Sequence, residues 1–375
     1  MDRLELDRYA REVQPELQQL IRDMCAIPAP SHHEELRADF CKKWFSDNGF
    51  PEVWIDDALN VLAPVNVTAD NRITVMMAHT DTVFPDTTPM PMVEENGIMA
   101  CPGVTDDTAN LAVLMVCARY YLKHQPDNRG ILFVANSCEE GLGNLKGTRK
   151  IMETYGNRVD EFISLDGSSL TGVVTHAVGS HRYKVSVRTE GGHSFAAFGH
   201  RNAIHQLATI ITSLYDVKVP HEGDSRTTYN VGIINGGTSV NTIAQNAEML
   251  YEYRSDSRVC LAQMKSTFEG IINGYRSMGY DINVELVGDR PCAGEIDAAR
   301  LNALLERVRA SIRRVTGKPA QDKSSSTDCN IPMAMGVPSV CFGVCNGTGA
   351  HTREEKLEVA SLYDGCRIFL DFLYQ

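Results

Sequence analysis

The chain contains no run of 18 consecutive apolar residues, so no membrane-spanning helix is expected. It has no basic stretch longer than two or three residues, and 36 Lys and Arg face 48 Asp and Glu, a net charge of −12. Nucleic-acid recognition needs a basic face, and an acidic surface is a poor match for an anionic membrane, so neither is an expected partner. No C-x-x-C pair occurs among the eleven cysteines, which argues against a zinc ribbon or a thioredoxin-like site. An odd, scattered set of thiols fits a reducing compartment. The charged opening Met1-Asp2-Arg3-Leu4-Glu5 has no apolar signal region, and the expected location is the cytoplasm. The sequons at Asn66 and Asn346 therefore carry almost no weight. No internal repeat is found, and the one low-complexity run, Ser324-Ser325-Ser326-Thr327, is too short to be a linker.

What is present is an ordinary globular composition, 43% hydrophobic and 22% charged, in 375 residues, enough for two or three domains. Apolar spacing predicts one amphipathic helix over 8–26, and Ser31-His-His-Glu34 reads as a capping box opening a second. Strands are expected at 52–56, 73–78, 131–137 and 162–165, with helices over 107–123 and from about Leu145. Strands alternating with helices imply an α/β layer with a largely parallel sheet. Near residue 177 the pattern changes. Tyr183, Val185 and Val187 alternate with polar residues, and the order strand, helix, strand, strand, helix, strand follows to about 287. Helices near 297–315 and 359–373 then restore the α/β character. The expected layout is a discontinuous domain, 1–176 with 291–375, carrying an inserted α+β domain at 177–290.

Five acidic or histidine clusters fall at predicted strand ends or in loops, and open α/β sheets collect ligands at the carboxyl ends of their strands. They are His79-Thr-Asp81, Asp106-Asp107, Glu139-Glu140, Asp166 and His351. Each alone has an ordinary explanation: a structural role at the end of an apolar strand for His79 and Asp81, helix capping for Asp106-Asp107, an exposed loop for Glu139-Glu140, a turn for Asp166 and an incidental loop histidine for His351. Gly141-Leu-Gly143 is not a nucleotide loop, because two carboxylates would repel a pyrophosphate. Taken together, two histidines and several carboxylates without cysteine suit Zn²⁺, Mn²⁺ or Co²⁺. Two neighbouring divalent ions need roughly five ligands, one of them bridging, and a free carboxylate as base. His79, Asp106, Glu140, Asp166 and His351, with Glu139 spare, match that requirement. Cys138 beside Glu139 is the one candidate for a thiol nucleophile, and it would need a partner histidine.

The order His-Thr-Asp, Asp-Asp, Glu-Glu-Gly, Ser-Leu-Asp-Gly, Gly-Gly-His-Ser and a late His-Thr-Arg resembles the dinuclear zinc hydrolases. That family includes aminoacylase, acetylornithine deacetylase, succinyl-diaminopimelate desuccinylase and peptidase T-like tripeptidase. The resemblance spans essentially the whole chain. It implies a zinc-exopeptidase-like catalytic domain, with a mixed sheet flanked by helices, and an inserted ferredoxin-like dimerisation (lid) domain. By the same resemblance His79 and Asp166 hold one metal, Glu140 and His351 the other, and Asp106 bridges them. Asp81 orients His79, Glu139 is the general base, and the Asp106–Asp107 peptide is expected to be cis. His193 matches the lid histidine that enters a partner's site in dimeric members. Asn241 and Arg254 match lid positions that contact substrate, and Thr327 lies in a loop that lines the pocket.

One departure is Thr108-Ala109-Asn110, where many family peptidases carry Lys-Gly or Lys-Ala-Gly after the paired aspartates. The expectation is a homodimeric hydrolase with two divalent ions, most simply zinc, cleaving an amide bond in a small peptide. The alternative is an N-acyl amino acid deacylase. A non-catalytic binding protein on this fold would have lost ligands or base, and every such position is filled.

Overall fold

The computed structural model describes residues 2–375. By density of contacts the chain divides into two compact units, Met1–Ala177 with Ala293–Gln375, and Val178–Cys292.

The first unit is built on an eight-stranded mixed sheet. In spatial order its strands are Trp54–Ile55, Val61–Val65, Gly130–Asn136, Ile73–His79, Val159–Leu165, Ser339–Phe342, Gly172–Ala177 and Gln321–Ser325. The central strands Gly130–Asn136, Ile73–His79, Val159–Leu165 and Ser339–Phe342 run parallel. Their side chains alternate between two separate cores, as the two-residue strand period requires. Met76, Ala78, Ile131, Phe133, Ile163 and Leu165 pack on one face with the helices Gln14–Cys25, Ala109–Lys123, Ala298–Thr316 and Ser361–Leu373. Val75, Met77, Leu132, Val134 and Phe162 pack on the other, against Ile151 and Met152 of Lys146–Tyr155. Both faces are covered, which explains why these strands read as continuous apolar runs.

The second unit is a four-stranded antiparallel sheet in the order Thr227–Gly236, Asn246–Ser255, Gly179–Arg188, Asp281–Arg290. Val185, Val187, Met249, Tyr251 and Tyr253 face the helices Ala203–Tyr215 and Arg258–Ser277, where Leu207, Ile210, Met264 and Phe268 complete the core. With its connectivity this is the ferredoxin-like arrangement expected of the insert.

Two local expectations are corrected. The single helix over 8–26 is two, Arg3–Glu12 and Gln14–Cys25. Pro15 lies in the first turn of the second, where its missing N–H costs nothing; inside a continuous helix it would remove the bond to Arg11. Ser31 does not cap the next helix. Glu35–Asp47 begins without a side-chain cap, and the Ser31 hydroxyl instead donates to Asp81 Oδ2 at 2.6 Å.

Candidate metal centre

Three parallel strands deliver the site. His79 ends Ile73–His79, Glu139 and Glu140 follow Gly130–Asn136, and Asp166 follows Val159–Leu165. Asp106 and Asp107 lie in a tight π-type turn, Val104–Thr108, ahead of the helix Ala109–Lys123, and the peptide between them is cis. The turn enters through Gly103 at φ 77°, where a Cβ would meet Thr82 Cγ2 at 2.6 Å, so only glycine fits. His351 comes from the loop after Gly347–Thr348, also in a left-handed conformation, at φ 65°.

The side chains converge. One oxygen of Asp106 lies 3.0 Å from His79 Nε2 and the other 3.0 Å from His351 Nε2. His351 Nε2 is in turn 3.1 Å from Glu140 Oε1. Three groups bring ligand atoms within 4.8 Å of one another: His79, Asp107 and Asp166; His79, Glu139 and Glu140; Asp106, Glu140 and His351. Asp106 lies between the two histidines, and Asp166 falls into the His79 group. His351 keeps 57% of its side chain exposed, while His79 and Glu140 are buried.

Buried carboxylates hold the loops. Asp81, fully buried, accepts from Glu139 N and Glu140 N, both at 3.0 Å, and from Ser31 Oγ. His79 Nδ1 lies 3.0 Å from the Asp81 carbonyl oxygen, leaving Nε2 to face Asp106. Asp107 accepts from His79 N at 2.9 Å and from Asn110 Nδ2 at 2.6 Å. Asn110, part of the departure noted in the sequence, thus buttresses the site. Asp328 accepts from Asn136 Nδ2 at 2.7 Å and from the Thr148 hydroxyl.

The electrostatics are those of a cation site. Burial opposes the charged form of His79, yet Asp107, Asp106 and Asp81 outweigh it and hold the imidazole well above its usual range. Hydrogen bonds to Asp106 and Glu140 push His351 up to about 11. Burial, and after it the charge on Asp106, pushes Asp166 up to about 7. The buried Arg37 does not relieve this crowding, because its guanidinium donates to the carbonyls of Met24, Ile27 and Thr80. Clustered carboxylates in a low-dielectric cleft are costly without cations, and two histidines with carboxylate oxygens form a borderline donor set. The residues present therefore fit divalent metal ions.

The remaining candidates lie elsewhere in the chain. In the second unit His193 pairs with Thr242 across a two-residue ribbon, beside Asn241, whose carbonyl accepts from Ser194 N. His193 Nδ1 accepts from Phe195 N and Ala196 N at 3.3 and 3.4 Å, so the neutral ring carries its proton on Nε2. Arg254 is engaged by Glu252 at 2.9 Å. Thr327, in the first unit, is buried and its hydroxyl accepts from Cys329 N. Cys138 Sγ does have a histidine near, His32 Nδ1 at 3.4 Å. Burial, reinforced by Glu34, pushes its thiol up to about 12, which leaves no thiolate to act as nucleophile. Glu355 was not singled out from the sequence. It is buried and accepts from Gly103 N, Thr105 N, Thr105 Oγ1 and Asp106 N.

The family model for peptidase family M20/M25/M40 matches residues 75–375. The chain belongs to that family. A succinyl-diaminopimelate desuccinylase of Corynebacterium glutamicum is 25% identical over 371 residues, covering 94% of this chain and 95% of that protein. Among solved structures, aminopeptidase PepT of Bacillus cereus superposes with a TM-score of 0.70 at 23% identity, covering 96% of this chain and 98% of that one. The YXEP protein of Bacillus subtilis, a dinuclear metal binding peptidase from the M20 family, does so at 0.63 and 17% identity, covering 97% and 98%. At these identities the structural likenesses speak for the fold alone. This M20-family protein is an enzyme of the metal-dependent hydrolase class acting on peptide or other amide C–N bonds. No helix among its described residues is long and apolar enough to cross a membrane.

Proposed function

We propose that this M20-family protein is an exopeptidase of di- and tripeptides whose reaction centre is the cluster around Asp106. The observation carrying this reading is Asp106 itself, which turns one oxygen to His79 and the other to His351. His79 and Asp166 would hold one divalent ion, Glu140 and His351 a second, and Asp106 both. Zn²⁺ is the first choice for this donor set, with Mn²⁺ or Co²⁺ as alternatives. Such ions would polarise the scissile carbonyl and lower the pKa of the attacking water.

The chain's own groups supply the rest. Glu139, next to Glu140 and buried, takes the proton of the attacking water and returns it to the departing nitrogen. Asp81 keeps His79 and the Glu139–Glu140 backbone in place. His193, as its Nε2–H tautomer, is suited to donate to the developing oxyanion. Asn241, Arg254 and Thr327 are assigned to substrate, with Arg254 exchanging Glu252 for a substrate carboxylate. Homodimerisation through 177–290, with His193 serving the partner's site, belongs to the same reading, as does a cytoplasmic location. A monomer by light scattering would remove the role in trans.

A second reading is favoured by the curated relatives. The desuccinylase likeness extends over nearly the full chain, and an N-acyl amino acid deacylase would use the same centre. The two differ in whether the pocket takes a free α-amino group or an acyl tail. A mass-spectrometric screen distinguishes them, offering mixed di- and tripeptides beside N-acetyl and N-succinyl amino acids, with zinc or manganese added and a chelated control. Metal-dependent loss of peptides alone supports the exopeptidase. Loss of acylated amino acids alone moves the protein to the deacylases, and no turnover in any metal contradicts both.

A further inference from the structure

We propose that Glu355 is a positioning residue of the metal centre, the internal anion around which the Asp106 turn is folded; this rests on the two-metal reading above. Its carboxylate is 0% exposed. Oε2 accepts from Gly103 N at 2.7 Å, and Oε1 accepts from Thr105 N and Thr105 Oγ1 at 2.7 Å and Asp106 N at 3.0 Å. Main-chain N–H groups converging in this way form a nest, a concavity that favours an anion. Here the anion is a side chain four positions after His351.

The two segments are also stitched along their backbones. Cys101 N donates to Glu355 O at 3.2 Å, and Lys356–Glu358 pairs antiparallel with Ile98–Ala100. One residue therefore joins the loop carrying His351 to the turn carrying Asp106, whose side chains meet at 3.0 Å. Among the described residues no Lys, Arg or His forms an ion pair with Glu355. Its charge is met by backbone dipoles and adds to the negative potential beside Asp106. Glu355 thus acts twice on the centre without touching a reacting atom: it fixes the direction of Asp106, and it deepens the potential that a cation would feel. Glu354, the neighbouring carboxylate, is exposed and does neither.

The test compares metal-stripped wild type, Glu355→Gln, Glu355→Asp and Glu354→Gln, titrated with Zn²⁺ against a chromophoric chelator and with Co²⁺ by visible absorption. Glutamine keeps the size of the side chain, but one end of its amide becomes a donor facing N–H donors. Residues that orient metal ligands typically cost 10–100-fold in metal affinity when changed. The expected result is a loss of about that size in Glu355→Gln, with an altered Co²⁺ spectrum and unchanged far-ultraviolet dichroism of the metal-free protein. Glu354→Gln is expected to match wild type. Wild-type affinity and spectrum in Glu355→Gln overturn the proposal. If Glu355→Gln does not fold, Glu355→Asp decides: a tenfold or larger loss supports the role, and wild-type binding overturns it. A wild type that binds fewer than two ions defeats the two-metal reading instead, a separate outcome.

Discussion

Replacing Asp81 with asparagine isolates the part of the account that concerns loop geometry. Asp81 Oδ1 accepts from Glu139 N, and Oδ2 accepts from Glu140 N and Ser31 Oγ. An asparagine offers one oxygen and one NH₂ in the same space. With the NH₂ in place of Oδ2, Ser31 can rotate its hydroxyl and accept, but Glu140 N–H faces a donor. With the NH₂ in place of Oδ1, Glu139 N–H faces it, and His79 Nδ1 lies 3.4 Å from that position. Either way one buried backbone N–H loses a charged acceptor. Hydrogen bonds to charged groups contribute about 1.5–3 kcal/mol, so the metal-free variant should be destabilised by about 2–3 kcal/mol. The displaced N–H belongs to Glu139 or Glu140, so metal affinity should fall as well, by about 10–100-fold. Calorimetry of the stripped proteins reads the first effect and competition titration the second. An Asp81→Asn protein that unfolds and binds metal as wild type does would refute the reasoning.

Other expectations follow from the same geometry. In the metal-free protein His79 and His351 are held protonated and Asp166 titrates near 7, so metal must displace protons. Affinity should fall as pH drops, with protons released on metal binding; calorimetric titration in buffers of different ionisation enthalpy counts them. A pH-independent affinity would contradict the assignment. In the second unit, Phe268 is 2% exposed and stacks on Tyr183 and Tyr251. Phe268→Ala should cost about 3–5 kcal/mol in that unit's unfolding, without changing metal binding to the first.

The parts of this protein legible from sequence are those with a strong period or a position at a strand end. Continuous apolar runs such as Ile131–Ala135 marked strands buried on both faces, and His79, Glu139, Glu140 and Asp166 were found because they follow such runs. The edge strand Gln321–Ser325 was not found. It is almost wholly exposed and polar, so no alternation marks it, and its serines read as low complexity. Pro15 was overridden by the apolar spacing on either side of it. Ser31 followed by Glu34 has the spacing of a capping box, but Asp81 and Glu140, distant in sequence, claim the hydroxyl. Glu355 stayed hidden for a similar reason: Glu354 and Glu355 are alike in sequence, and only the fold buries the second. Asn110 reads in the sequence only as a departure from the Lys-Gly or Lys-Ala-Gly of many family peptidases, whereas its side chain bonds Asp107 and receives Val344 N.

In the proposed reaction Glu139 moves a proton while Glu140, beside it, is the metal ligand. Metal content and turnover measured on the same sample of Glu139→Gln test this most directly. General acid–base catalysis contributes about 10²–10⁴-fold, so the account predicts two metal ions per chain and turnover reduced by about that factor. Turnover at the wild-type rate, with the metals in place, would contradict it.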